Sequence, residues 1–203
     1  MSDISNLAFN RRSPHIVVVD NFYRDPDAVR KIALSAEYSA NNRFYKGKRT
    51  VKPYFFPYLR EEFCRLLQAD IVDWTNQPMN GIFQITSAND PLVYHSDTQD
   101  YAAAIYLTPD AKYSMGTSFW SSKTGSCRRP PEHPLGNKPL VDQKSVYNDY
   151  SILHSDAWEL VDKVGCVYNR LVLWDAKLIH SASEYGEIDR LVHLFFFNIR
   201  HYQ

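Results

Sequence analysis

Six short segments rich in β-branched and aromatic residues follow one another from residue 80 to the end of the chain: NGIFQIT, LVYHS, YAAAIYLT, TSFWSS, RLVLWDAKLIHSA and RLVHLFFFNIRH. Runs of this length and make-up suit strands that bury at least one face. So many in succession predict a β sandwich or barrel. The residues before them read differently. Asp25 is placed to cap a helix with Pro26 at its first position, and Val29, Ile32, Ala33 and Ala36 follow at helical spacing. In PYLREEFCRLLQADIVDW, Leu59, Phe63, Leu66, Leu67 and Ile71 lie along one helical stripe. The predicted class is α+β, mainly β: a single domain over 1–203, with a helical support region at 1–79 and a β core at 80–203.

A chain of 203 residues can bury roughly 70% of its unfolded surface in one core. Lys plus Arg and Asp plus Glu both number 23, so the overall positive field of a general nucleic-acid or anionic-membrane binder is missing. Modified bases stay open as substrates. Cys64, Cys127 and Cys166 are odd in number and form no C-x-x-C pair, which argues against a disulfide framework or a zinc ribbon and predicts reduced thiols in a cytoplasm. The first thirty residues contain no apolar h-region, and there is no uncharged apolar run of about 18 residues. A soluble, cytoplasmic protein without a membrane partner is expected. In GSCRRPPEHPLGNKP, Pro130, Pro131, Pro134 and Pro139 exclude a central strand. Residues 121–149 are therefore expected to be mostly a surface loop, of a length at which lids and plain excursions both occur.

The tripeptide HSD occurs twice, at 95–97 and at 154–156. In the second copy Asp156 precedes Glu159 and the apolar set Trp158, Leu160, Val161 and Val164, with Gly165 where a helix would stop. That pattern predicts a helix capped by Asp156, and His154 gains no ligand partner from it. The first copy ends the extended segment LVYHS. Residues i and i+2 of a strand point to one face, so His95 and Asp97 can reach the same ion. His180, in RLVLWDAKLIHSA, supplies a third ligand. Two imidazoles and one carboxylate form the facial arrangement that leaves positions of a non-haem Fe(II) open for a cosubstrate and O2.

H-x-D at 95–97, the distal His180 and Arg190 ten residues beyond it resemble the Fe(II)/2-oxoglutarate-dependent dioxygenase superfamily, nearest to its prolyl-4-hydroxylase-like branch and similar to its bacterial and phage members. Thr117-Ser118-Phe119 is similar to the T-x-F of the family's central strand, and NRLVLWDAKLIHSA to the strand-turn-strand that carries the distal histidine. The likeness covers about residues 80–200. It implies a double-stranded β-helix (jelly roll, cupin-like) backed by the N-terminal helices, with His95, Asp97 and His180 on the metal. In that topology the ligands come from the second and seventh strands. The stretch from Asp97 to His180 is long enough for the strands between, whereas Asp156 to His180 has room for one helix and one strand.

The resemblance further implies Fe(II), 2-oxoglutarate and O2 as cofactor and cosubstrates, with release of succinate and CO2. Arg190 would take the far carboxylate of 2-oxoglutarate, for which a planar guanidinium is better shaped than an ammonium; Thr117 would add a hydroxyl nearby. Retention of Asp97, where halide-transferring relatives have a small residue, points to hydroxylation of a small molecule, amino acid or peptide. Gln84, Asn80 and Tyr106 are placed either to line the cavity or to pack. Trp120, Trp174 and Phe195, Phe196 and Phe197 read as core, and Arg128 and Arg129 as a solvated pair. Two alternatives are a catalytically inactive jelly-roll binding or sensor protein, and a non-haem iron dioxygenase that does not use 2-oxoglutarate.

Overall fold

A computed structural model describes residues 14–40, 46–123 and 155–202. It is mainly β, with antiparallel sheets and two short α-helices. In chain order the elements are β1 (Ile16–Val19), α1 (Pro26–Leu34), β2 (Tyr38–Ala40), β3 (Lys48–Thr50), α2 (Leu59–Leu67), β4 (Ala69–Ile71), β5 (Ile82–Thr86), β6 (Tyr101–Tyr106), β7 (Thr117–Ser122), β8 (Trp158–Val164), β9 (Leu171–Asp175), β10 (Ile179–Ala182), β11 (Arg190–Phe197) and β12 (Ile199–His201). A seven-stranded sheet runs β1-β9-β6-β11-β5-β3-β2, a three-stranded sheet β10-β7-β8, and β12 pairs with β4.

Helix α1 begins as its sequence predicts. The Asp25 carboxylate accepts the Ala28 N–H at 2.9 Å, and Pro26 opens the first turn, where a missing N–H costs nothing. Val29 and Ala33 are buried, but Ile32 is exposed, so the buried stripe is narrower than the spacing suggested. Helix α2 buries Leu59, Phe63, Cys64 and Leu67, then stops at Gln68, whose φ of 52° turns the chain left-handed. The predicted continuation to Ile71 is corrected: Ile71 belongs to β4 and pairs with Ile199. It remains in the core, reached by a strand after a turn.

The helix predicted behind Asp156 is also corrected. Asp156 lies in a 3-10 turn (Ser155–Ala157), and WELVDKV is strand β8, paired with β7 from Ser122↔Trp158 to Thr117↔Val164. The register shifts between Phe119, opposite Asp162, and Trp120, opposite Leu160, leaving Val161 as an extra residue. This bulge takes up the adjacent apolar pair Leu160-Val161, which breaks strand alternation and gives the segment its helical look. Cross-strand pairing outweighs the local capping pattern. Of the predicted loop at 121–149, Ser121 and Ser122 end β7; residues 124–149, His154, Cys127, Arg128 and Arg129 lie outside the described residues. Cys64 and Cys166 are free and buried.

Alternation sorts the large sheet into two faces. One face carries Phe83, Ala103, Ile105, Leu171, Leu173, Leu191, Phe195 and Phe197, and packs with Val29, Ala33, Leu59, Phe63 and Leu67 from the helices. The other carries Ala102, Ala104, Tyr106, Val172, Trp174, Val192, Leu194 and Phe196, and packs with Phe119 of β7 from the small sheet. The second face forms the wall of the site.

Candidate metal centre

The segment LVYHS forms no full strand; it touches the small sheet through one isolated bridge between His95 and His180. The His95 N–H donates to the His180 carbonyl at 3.0 Å, and the His180 N–H donates to the His95 carbonyl at 2.7 Å. Residues directly opposite in an antiparallel bridge put their side chains on one face, and the two imidazole centroids are 4.3 Å apart. Two residues on, the Asp97 N–H donates to the Ala176 carbonyl at 2.8 Å, which keeps Asp97 on the same side. Tyr94 faces the other way, stacked on Trp158 with centroids 5.7 Å apart and edge-on to Trp120 at 5.0 Å. That packing holds the short segment in register.

Both imidazoles are oriented by backbone. His95 Nδ1 lies 3.0 Å from the Val93 carbonyl and His180 Nδ1 2.9 Å from the Leu178 carbonyl. A carbonyl only accepts, so each Nδ1 is assigned the proton and each Nε2 keeps its lone pair. The Nε2 atoms then face acceptors: His180 Nε2 is 3.3 Å from Asp97 Oδ2, and His95 Nε2 is 3.7 Å from Asp97 Oδ1. Asp97 Oδ2 is buried and receives no hydrogen bond. The donor atoms of the three residues all lie within 4.8 Å of one another. Lone pairs gathered this closely repel unless a cation lies among them, so the residues fit a divalent ion.

The electrostatics favour the protonation states such an ion needs. Burial, reinforced by His180, holds the His95 imidazole well below its ordinary range, although Asp97 and the Val93 carbonyl pull the other way. For Asp97 burial acts upward, but His180, then His95 and Arg49, outweigh it and hold the carboxyl at about 2. A neutral imidazole and an ionised carboxylate are ligands that need lose no proton at neutral pH. Side-chain exposure falls from 36% at His95 through 17% at Asp97 to 6% at His180, so the open side of the site is the His95 side.

Arg190 starts β11 on the inner face and is 7% exposed. Its Nε donates to the Met115 carbonyl at 2.8 Å, and its guanidinium lies 5.2 Å from the Tyr106 ring centroid. The Tyr106 and Thr117 hydroxyls share a hydrogen bond of 2.8 Å. Arg190 and Thr117 therefore meet through Tyr106, which joins the cluster rather than merely packing. Between this cluster and the histidines, the inner face of β6 carries Ala102 and Ala104, both buried. Trp174 crosses the His180 ring edge-on at 4.9 Å. Asn80 serves structure, donating to the Trp74 carbonyl at 2.5 Å and accepting the Phe196 N–H at 2.9 Å. Gln84 instead holds Arg49, a residue that sequence reasoning passed over; nothing in KGKRTVK distinguishes that arginine from the charges around it.

Residues 2–184 match the family model described as "Family of unknown function (DUF6445)". The chain belongs to the DUF6445 family. No curated protein sequence matches it significantly. Among solved structures this DUF6445 protein is similar to AviO1 from Streptomyces viridochromogenes Tue57, with a TM-score of 0.56 at 11% identity over 97% of this chain and 95% of that one. It is similar also to HygX from Streptomyces hygroscopicus with nickel, 2-oxoglutarate and hygromycin B bound, with a TM-score of 0.52 at 13% identity over 97% and 87% of the two chains. A Trichoplax adhaerens prolyl hydroxylase in complex with a hypoxia inducible factor peptide fragment gives 0.52 at 14% identity over 96% and 86%. The fold is thus one found among 2-oxoglutarate-dependent oxygenases, prolyl hydroxylases included. No helix among the described residues is long and apolar enough to cross a membrane.

Proposed function

We infer that this DUF6445 protein is an Fe(II)- and 2-oxoglutarate-dependent dioxygenase. It would hydroxylate a small-molecule, amino-acid or peptide substrate, with 2-oxoglutarate and O2 consumed and succinate and CO2 released. The observation that carries the reading is the convergence of His95, Asp97 and His180, with both Nε2 lone pairs and an unsatisfied carboxylate oxygen inside 4.8 Å. Two antiparallel sheets facing each other across the site support a double-stranded β-helix spanning one domain. A cytoplasmic setting agrees with the free thiols of Cys64 and Cys166.

Each residue has a stated task. His95, Asp97 and His180 would hold Fe(II), which when bound supplies the activation of O2 that no side chain provides. The Val93 and Leu178 carbonyls keep the imidazoles in the ligating tautomer. Arg190 would pair with the far carboxylate of 2-oxoglutarate, held for that role by the Met115 carbonyl and the Tyr106 ring. Thr117 fixes the Tyr106 hydroxyl and would stand beside the same carboxylate. Trp174, Phe119 and Phe196 exclude water from the inner face, which strengthens charge interactions there.

Anaerobic addition of Fe(II) and 2-oxoglutarate tests the reading. A visible charge-transfer band from their chelate is expected. Its absence would count against both the metal site and the cosubstrate, whereas metal binding without the band would favour an iron dioxygenase that does not use 2-oxoglutarate.

A further inference from the structure

Among the described residues, Arg190 and Arg49 both extend over aromatic rings of the inner face, and Arg190 already has a task. Arg49 comes from β3, where it pairs with Gln84 of β5; Gln84 pairs with Val192 of β11, and Val192 with Tyr106 of β6. These four residues make a row across the inner face. Arg49 is partly buried. Its Nε donates to Gln84 Oε1 at 3.1 Å, and the Gln84 amide is itself oriented by donating to the Lys46 carbonyl at 2.8 Å. The guanidinium lies 5.9 Å from the ring centroid of Phe196. Phe196 stands in register with Ala102, and Ala102 with Trp174, the residue that crosses His180. Arg49 is thereby aimed along the sheet toward the triad.

A guanidinium fixed through Nε by an amide and laid over an aromatic ring has its rotamers restricted, so pairing with a carboxylate loses little further entropy. The planar guanidinium is shaped to pair with a carboxylate rather than with a neutral or cationic group.

We propose that Arg49 anchors the primary substrate and that this substrate is a small molecule bearing a carboxylate, held beside the His95–Asp97–His180 site. The assignment rests on the dioxygenase reading. Arg49 and Arg190 divide the anions between them, the first taking the substrate and the second the cosubstrate.

The test uses the full chain loaded anaerobically with Fe(II) and 2-oxoglutarate, titrated with N-acetylated amino acids, each against its primary amide. At least one acid should shift the visible chelate band and, once O2 is admitted, raise succinate release about tenfold; its amide should do neither. Arg49→Gln should keep the chelate band but bind that acid at least about tenfold more weakly, and Arg49→Lys should recover part of the loss. Amides as effective as acids, unchanged binding of the acid by Arg49→Gln, or no acid that perturbs the band would each overturn the assignment. Loss of the chelate band in the unmodified protein would instead remove the dioxygenase reading beneath it.

Discussion

Along β11, Leu191, His193, Phe195 and Phe197 face the helices, while Arg190, Val192, Leu194 and Phe196 face the small sheet. The helix-facing side is filled. Phe63 meets Trp74, Phe195 and Phe197 at centroid distances of 5.7, 5.1 and 5.4 Å, and His193 is enclosed by Phe83 at 4.1 Å and Phe195 at 4.4 Å. The inner side pairs small alanines with an arginine, a tyrosine and the two histidines of the candidate metal centre. A histidine is buried on each side, and the difference lies in what faces its nitrogens. His193 Nδ1 has a hydroxyl at 2.7 Å, that of Tyr23. His180 has a carbonyl at Nδ1 and a carboxylate at Nε2. Burial alone does not mark the candidate site; an Nε2 turned toward a carboxylate that a second imidazole also faces does.

If the helix-facing side is purely structural, Phe63→Ala should cost about 3–5 kcal/mol of stability by urea unfolding, while folded protein still binds one metal ion. Loss of metal affinity at unchanged stability would break the distinction. His193 should give the fold a dependence on acid. Burial holds its imidazole at about 3, against the pull of the Gly81 and Tyr54 carbonyls, whereas 6.5 is its unfolded value. Between these pH values the unfolded chain takes up a proton that the fold refuses, so stability should fall as pH falls. Its share from pH 7 to pH 4.5 is roughly 2–3 kcal/mol. The double variant Tyr23→Phe/His193→Leu, which removes both polar partners, should flatten this limb; an unaltered slope would show that another group causes it.

On the inner side, Arg190→Ala should weaken 2-oxoglutarate binding by about 10–100-fold, as expected for a lost charge-assisted pair. Equal affinity in calorimetry would favour an enzyme without that cosubstrate. The smallest effect is expected far from the site: Asp25→Ala should cost about 1 kcal/mol through the lost α1 cap and leave metal binding alone.

The same two sides explain what sequence could show. The strand-rich region, the Asp25 cap and the shared face of His95 and Asp97 were legible because each rests on periodicity or on a short spacing rule, whereas His180 was reached through the family resemblance. The end of α2 was not, because Gln68 turns left-handed without the glycine that usually signals it. The 156–164 segment misled because a bulge in β8 hides strand alternation. Arg49 was invisible for another reason: β3 is three residues long, and its position beside Gln84 comes only from non-local pairing. Tyr106 acquires its part from Thr117 on the next strand and from Arg190, which is remote in sequence.

The candidate metal centre is tested most directly by anaerobic titration of the metal-free protein with Fe(II), comparing the unmodified chain with His95→Ala and His154→Ala, which separate the two HSD tripeptides. One equivalent should bind to the unmodified chain and to His154→Ala, and affinity should fall by at least about 100-fold in His95→Ala. Retained binding in His95→Ala, or its loss in His154→Ala, would contradict the assignment of His95, Asp97 and His180 as the metal ligands.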